Sequence, residues 1–221
     1  PGGLAVVASD HLSSLCLFSQ IAEGSRPDAL CLPVVFARRA RMLAMASRTG
    51  RPEFRDAATA VAIASSSADM ANAMAKWLRP SLATGPVRWE LGSSAEDAQI
   101  RSHWLPGFPT GEVVANKPTE GEFAAQLRVA IGVATAFCAR SECAAGSDAS
   151  NYTGRWASVA AANAMRAGRP GVQELFAFAR VYAPEDPTVL NNYAVFLLST
   201  GLPGQALATL RVAIALHPDR W

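Results

Sequence analysis

The sequence predicts a two-part chain: a small, mostly parallel sheet flanked by helices, followed by an all-helical repeat array. Three observations predict it. Short continuous apolar runs alternate with helix-length segments through the first half. In the second half, prolines and small and large apolar residues recur at one fixed offset, the one that separates Pro184 from Pro218. The composition of 221 residues, 50% hydrophobic and 17% charged, gives a core large enough for one or two domains and is too apolar for disorder.

Leu4–Ala8 is an unbroken apolar run, as expected for a strand buried on both faces. Ser9 or Asp10 caps a helix that carries Leu12, Leu15, Cys16 and Ser19 at helical spacing and stops at Gly24. Arg26-Pro27-Asp28 turns into a second buried strand, Ala29–Val34. Helices are expected over about 36–47 and 53–78, a third strand over Pro86–Leu91, a short helix over about Ala95–His103 and a fourth strand over Glu112–Ala115. Strands separated by helices imply parallel crossovers, which makes residues 1–117 a Rossmann-like α/β domain.

Residues 118–221 form the helical domain. Thr119-Glu120-Gly121-Glu122 is a capping box opening a helix over 119–140. Beyond it, Trp156 aligns with Leu190, Ala160 with Ala194, Phe176 with Leu210 and Ala179 with Ala213. This is the tetratricopeptide pattern, in which small residues permit close helix contact and proline ends the second helix of each unit. Two units are expected, 153–186 and 187–221, with helix 119–140 as their cap. The concave face of such an array would be lined by Gly154, Ala157, Ala161 and Ala164, then Thr188, Asn191, Val195 and Leu198. Those residues are small, apolar or uncharged, which leaves either peptide binding or a packing role for the array and removes the basic clamp that would grip a terminal carboxylate.

Chemistry is sparse. In an open sheet, ligands sit beyond the strand carboxyl ends, here Ala8-Ser9-Asp10-His11. That turn has no glycine to let backbone approach a pyrophosphate, and Asp10 carries the wrong charge, so no dinucleotide cofactor is expected. Asp10 and His11, with Arg26 and Asp28, are the ligand-binding candidates; the alternative is that they are capping and surface residues. No catalytic residue is assigned. The three His are scattered and the four Cys lack metal-ligand spacing, so no metal is expected. Cys16 and Cys31 read as small core residues, while Cys138 and Cys143 are spaced to close a disulfide in an oxidising compartment. A net charge of +2 gives no case for nucleic acid, and no apolar run reaches the length that spans a bilayer.

The first half also resembles the soluble extracytoplasmic tail of bacterial membrane proteins similar to protein O-mannosyltransferases. The resemblance rests on Leu4–Ala8 with Asp10, on Arg26-Pro27-Asp28 before Ala29-Leu30-Cys31-Leu32, on Pro86-Val87-Arg88-Trp89 and on Leu105-Pro106-Gly107. It implies that the chain is the non-catalytic, periplasmic or extracytoplasmic part of a larger glycosyltransferase-like protein, tethered by an upstream membrane-spanning region. Its partner would be that region, or a protein or peptide. Two other readings follow from the residues themselves: a small enzyme or ligand-binding domain using Asp10 and His11, and a free tetratricopeptide adaptor or assembly factor, cytoplasmic or periplasmic.

Overall fold

The computed structural model describes residues 4–7, 30–33, 59, 82–83, 87–90, 98–140 and 143–220. The chain divides into two units: one of Pro1–Leu105 with Thr110–Pro118, the other of Pro106–Pro109 with Thr119–Trp221. Each is described by itself.

In the first unit, five short strands form one sheet: β1 (Leu4–Val7), β2 (Leu30–Pro33), β3 (Val87–Trp89), β4 (Trp104–Leu105) and β5 (Gly111–Val113). A six-residue helix, α1 (Ala98–His103), precedes β4. The order across the sheet is β2-β1-β3-β5-β4. β1 is parallel to β2 and to β3, but β3, β5 and β4 pair antiparallel. The described chain is otherwise helical, with six α-helices, so the mostly parallel Rossmann-like sheet expected from the sequence is not what forms.

The reason is local. β4 and β5 are joined only by Pro106–Thr110, whereas a parallel pair needs a crossover of about a dozen residues or more. Burial along β3 alternates: Val87 and Trp89 are buried while Arg88 is exposed. At β3 the face that carries Arg88 is therefore open to solvent, unlike a strand covered on both faces as in a parallel sheet. Arg88 sits opposite Glu112 in the register and pairs with it at 2.7 Å, a surface ion pair worth at most about 1 kcal/mol. Val87, Trp89, Trp104 and Val113 share one buried face, while Val7 and Cys31 are buried on the opposite face, the one that carries Arg88. Cys31 is disulfide-bonded, which corrects its reading as a plain core thiol. The expected helices over 36–47 and 53–78, and Cys16, lie outside the described residues.

The second unit is built from α2 (Glu120–Arg140), α3 (Asp148–Arg166), α4 (Val172–Tyr182), α5 (Pro187–Ser199) and α6 (Pro203–Leu216). At the start of α2 the Thr119 N–H and hydroxyl both donate to Glu122 Oε2, at 2.7 and 2.8 Å, while the Glu122 N–H donates back to Thr119 Oγ1 at 3.2 Å. These reciprocal bonds satisfy donors that a helix start leaves open. They also favour the ionised carboxylate: the Thr119 backbone N–H first, then its hydroxyl, hold the Glu122 pKa below the ordinary glutamate value.

Two results are expected. Thr119→Ala should lower stability by about 1 kcal/mol. The stability gap between wild type and Glu122→Gln should be full above the unfolded-state glutamate pKa and should vanish as pH falls through the depressed folded value. Urea denaturation over a pH series measures both; a gap that persists in acid would mean the carboxylate charge is not what the cap uses.

By length and composition α2 could cross a membrane, with a mean hydropathy of 1.3 over its best window. It nevertheless presents a buried stripe of Phe123, Leu127, Ala130, Ala134 and Cys138 at helical spacing within its unit. Leu127 packs at Gly171, and Cys138 Sγ lies 3.3 Å from Thr153 Oγ1. The Phe108 ring joins this unit, 5.3 Å from Phe137 and 5.2 Å from Trp156, and the Trp156 indole N–H donates to Gly107 O at 2.8 Å.

α3–α4 and α5–α6 are two helical hairpins. Ser147 caps α3, so the first helix begins at Asp148 rather than at Thr153. Asp186 caps α5, with Pro187 following in the first helical turn, where its missing N–H costs nothing. The hairpins end alike: Ala183 and His217, separated by the same offset as Pro184 and Pro218, are C-caps with φ/ψ of −139°/63° and −138°/64°.

Inside the hairpins the register differs. The turn bonds Gly168 N to Met165 O and Arg169 N to Ala164 O recur as Gly201 N to Leu198 O and Leu202 N to Leu197 O. Both glycines have positive φ, and the step from one to the other is one position shorter than the step from Ala183 to His217. The second helices therefore keep the offset of the prolines, and the first helices are related by one position less. Ala161 and Ala164 take the places of Ala194 and Leu197, in place of the Ala160–Ala194 match that a uniform repeat predicts.

Candidate functional site

This slip by one position rearranges the predicted concave face. Ala157, Ala161 and Ala164 are fully buried, since they are the counterparts of Leu190, Ala194 and Leu197, the last two of which pack against Ala206 and Leu210 of α6. Gly154 is buried too, against Ala179 and Ala183 of α4. None of them lines an open surface.

Thr188, Asn191, Val195 and Leu198 are all exposed on α5. In the register of the turn bonds they correspond to Arg155, Ser158, Ala162 and Met165 of α3. Arg155 pairs with the α5 cap Asp186, the Ser158 hydroxyl accepts from Asn192, and Met165 Sδ accepts from the Ser199 hydroxyl at 3.4 Å. In the first hairpin this is the face on which the next helix stacks. On α3 these positions form a stacking face, while on α5 the same positions are exposed.

Asp10, His11, Arg26 and Asp28 lie outside the described residues. Cys138 and Cys143 are joined in a disulfide that closes the turn after α2, where the Cys143 N–H also donates to Cys138 O. Among the described residues no group of three His, Cys, Asp or Glu is arranged to hold a metal.

An open groove of about 360 Å³ lies where α4 meets α5 and the start of α6. Its walls follow from helix periodicity. Gln173, Ala177 and Arg180 succeed one another along one face of α4, and Tyr193, Phe196, Leu197 and Thr200 do so along α5; Leu202 and Gln205 close one end.

The aromatic floor is fixed from below. Phe176, fully buried, has its ring centroid 5.7 Å from Tyr193 and 5.1 Å from Phe196, and those two rings stack at 6.0 Å with 30° between planes. The Arg180 guanidinium lies 4.7 Å over the Tyr193 ring. Stacking holds the cation over the ring face and leaves its fork of N–H donors along the rim. Arg180 is the sole charged residue of the lining, between the amides of Gln173 and Gln205.

The arrangement offers a cation, two neutral hydrogen-bonding side chains and an apolar floor. It offers no nucleophile with an adjacent base. It suits binding of a group that is anionic at one end and apolar at the other.

Sequence reasoning missed this site because it sought basic residues on the first helices. Arg180 is on the second helix of the first hairpin. The available signal was the Tyr193–Phe196 pair, two large rings one helical turn apart with Arg180 shortly before them in the chain.

In comparisons with known proteins, no family model matches the chain, and neither a curated protein nor a solved structure was found to be similar to it.

Proposed function

We propose that the chain is a non-catalytic protein-interaction module whose tetratricopeptide-like hairpins bind a peptide segment in the α4–α5–α6 groove. The observation that carries this reading is Arg180, stacked on Tyr193 as the single charge of an otherwise neutral, aromatic-floored groove. A carboxylate of the peptide pairs with Arg180, and an apolar side chain beside it covers Tyr193 and Phe196. Two helical hairpins that end in the same C-cap geometry, at the offset of the two prolines, support the tetratricopeptide-like description.

The proposal extends to the compartment. The Cys138–Cys143 bridge and a disulfide-bonded Cys31 favour an oxidising, extracytoplasmic setting. The short motifs of the first half favour service as the accessory portion of a membrane glycosyltransferase-like protein.

The test is a panel of short synthetic peptides combining Asp, Glu or a free C-terminus with Leu or Phe, read by fluorescence anisotropy. Acidic peptides should bind, and their amidated or amide-side-chain counterparts should bind at least about tenfold more weakly, as expected for loss of a charge-assisted hydrogen bond. Arg180→Ala should cause the same loss, and added salt should weaken wild-type binding. Equal affinity of acidic and neutral peptides, or an Arg180→Ala variant that binds like wild type, would remove the proposal.

A further inference from the structure

A threonine hydroxyl has one proton to give and lone pairs with which to accept. That of Thr153, fully buried in α3, gives its proton to Ala149 O at 2.8 Å. A carbonyl is a much better acceptor than sulfur, so lone pairs of Thr153 Oγ1 face Cys138 Sγ, 3.3 Å away. A disulfide sulfur has no proton to place between them. A Cys138 thiol has one, and its S–H would donate to Thr153 Oγ1 without any group in the core having to move.

The turn that carries the bridge is also held by other means. The Cys143 N–H donates to Cys138 O at 3.2 Å, the Ser147 N–H to Ala144 O at 2.9 Å, and the Asn151 amide to Gly146 O at 3.2 Å. Gly146 takes the positive φ of the turn, and Ser147 caps α3. The two Cα atoms stand 4.9 Å apart, and these bonds keep them in bridging range when the S–S bond is open. Access differs between the two sulfurs. Cys138 is 5% exposed, whereas Cys143 is half-buried, so an external thiolate reaches Cys143.

We propose that Cys138 and Cys143 form a reversible redox site that exchanges with an external dithiol through Cys143. A thiolate of the dithiol attacks Cys143 Sγ. A new S–S bond forms there as the Cys138–Cys143 bond breaks, and the electron pair leaves on Cys138 Sγ. The Thr153 hydroxyl turns its proton to that thiolate, while Ala149 O keeps its helical bond. Cys138 then takes a proton from solvent and donates to Thr153 Oγ1. The second thiol of the dithiol loses its proton and attacks the dithiol's own sulfur in the mixed disulfide, which releases Cys143 to be protonated. Two electrons and two protons pass from the dithiol to the bridge; the reverse path oxidises a dithiol. Thr153 is a positioning residue, and no residue of the α4–α5–α6 groove takes part.

The test equilibrates the whole chain, without denaturant, in mixtures of reduced and oxidised dithiothreitol, followed by blocking with N-ethylmaleimide and digestion. Mass spectrometry of the peptides carrying Cys138 and Cys143 reads this pair separately from Cys31. The expected result is complete and reversible reduction with unchanged amide hydrogen exchange over α2 and α3. Thr153→Val should shift the equilibrium about fivefold toward the disulfide and slow its approach, while Thr153→Ser should behave as wild type. Cys138→Ser should form a mixed disulfide with glutathione disulfide through Cys143, and Cys143→Ser should not.

A pair that stays bridged until the helical unit unfolds overturns the proposal, as does a reduction that opens α2 and α3 to exchange. Equal equilibria for Thr153→Val and Thr153→Ser overturn it too. So does a Cys143→Ser variant that reacts with glutathione disulfide as readily as Cys138→Ser.

Discussion

Gly154→Ala is expected to destabilise the helical unit by about 2 kcal/mol, and Gly154→Val by enough to leave little folded unit at all. A Cβ on Gly154 would overlap the Ala183 Cβ and stand 2.8 Å from the Ala183 N and 2.9 Å from the Ala179 O. Two of those three atoms are backbone, so no side-chain rotation relieves the contact. The helices α3 and α4 would have to move apart, and with them the buried alanines between α3 and its neighbours.

The sign is the informative part. Replacing glycine by alanine inside a helix normally gains about 1 kcal/mol, because the folded helix suits alanine better and glycine loses more freedom on folding. Gly132→Ala, in α2 with open space around its Cβ position, should show that gain. Urea denaturation followed by circular dichroism measures both variants. If Gly154→Ala proves as stable as wild type, the close crossing of α3 and α4 does not exist.

Asp186→Ala is the second large effect, with an expected loss of about 2–3 kcal/mol. The carboxylate is buried and does two jobs. Its Oδ1 accepts from the Thr188 and Val189 N–H groups at 2.9 and 3.2 Å, capping α5, and its Oδ2 accepts from Arg155 Nε on α3. The cap accounts for about 1 kcal/mol, helped by the partial positive charge at the helix start.

The ion pair contributes less than its short contact suggests, because the Arg155 side chain is 51% exposed and is screened by water. The ordering of variants tests this division. Asp186→Asn keeps a good cap and should lose about half as much as Asp186→Ala, and Arg155→Ala should lose least. An Arg155→Ala variant as unstable as Asp186→Ala would show that the bridge, and not the cap, holds α5 to α3.

Much of the helical unit is written in local signals. Thr119 and Glu122 announce α2 with a capping box, and Asp186-Pro187 announces α5. The start of α3 is announced as well, by Ser147, yet a boundary counted back from the prolines sets it at Thr153. The slip in register is concealed by alanine. With Ala157, Ala160, Ala161, Ala162 and Ala164 in α3, a small residue stands at the required place whichever of the two registers is used to match the helices. Only the turn hydrogen bonds distinguish them.

The sheet fails to follow its sequence reading for another reason. Alternating strands and helices describe parallel crossovers well, but strand direction after β3 is decided by the short link Pro106–Thr110 and by the half-buried Val87-Arg88-Trp89 pattern. Both are visible in the residues. Of the candidate site, Arg180 was legible as a residue and illegible as a partner, because what brings it over Tyr193 is the packing of α4 on α5.

The mismatch between the two registers has a consequence for how this chain tolerates change in its length. A residue gained or lost within α3 would swing every later side chain by about 100° around the helix axis and empty the alanine seam. The first hairpin instead has one residue fewer between Gly168 and Ala183 than the second has between Gly201 and His217, with the difference falling in the turn and the start of α4. There it rotates neither α3 nor the end of α4. The turn at Ala167–Gly171 is thus the place where such a chain can lengthen or shorten between descendants while both helices keep their faces.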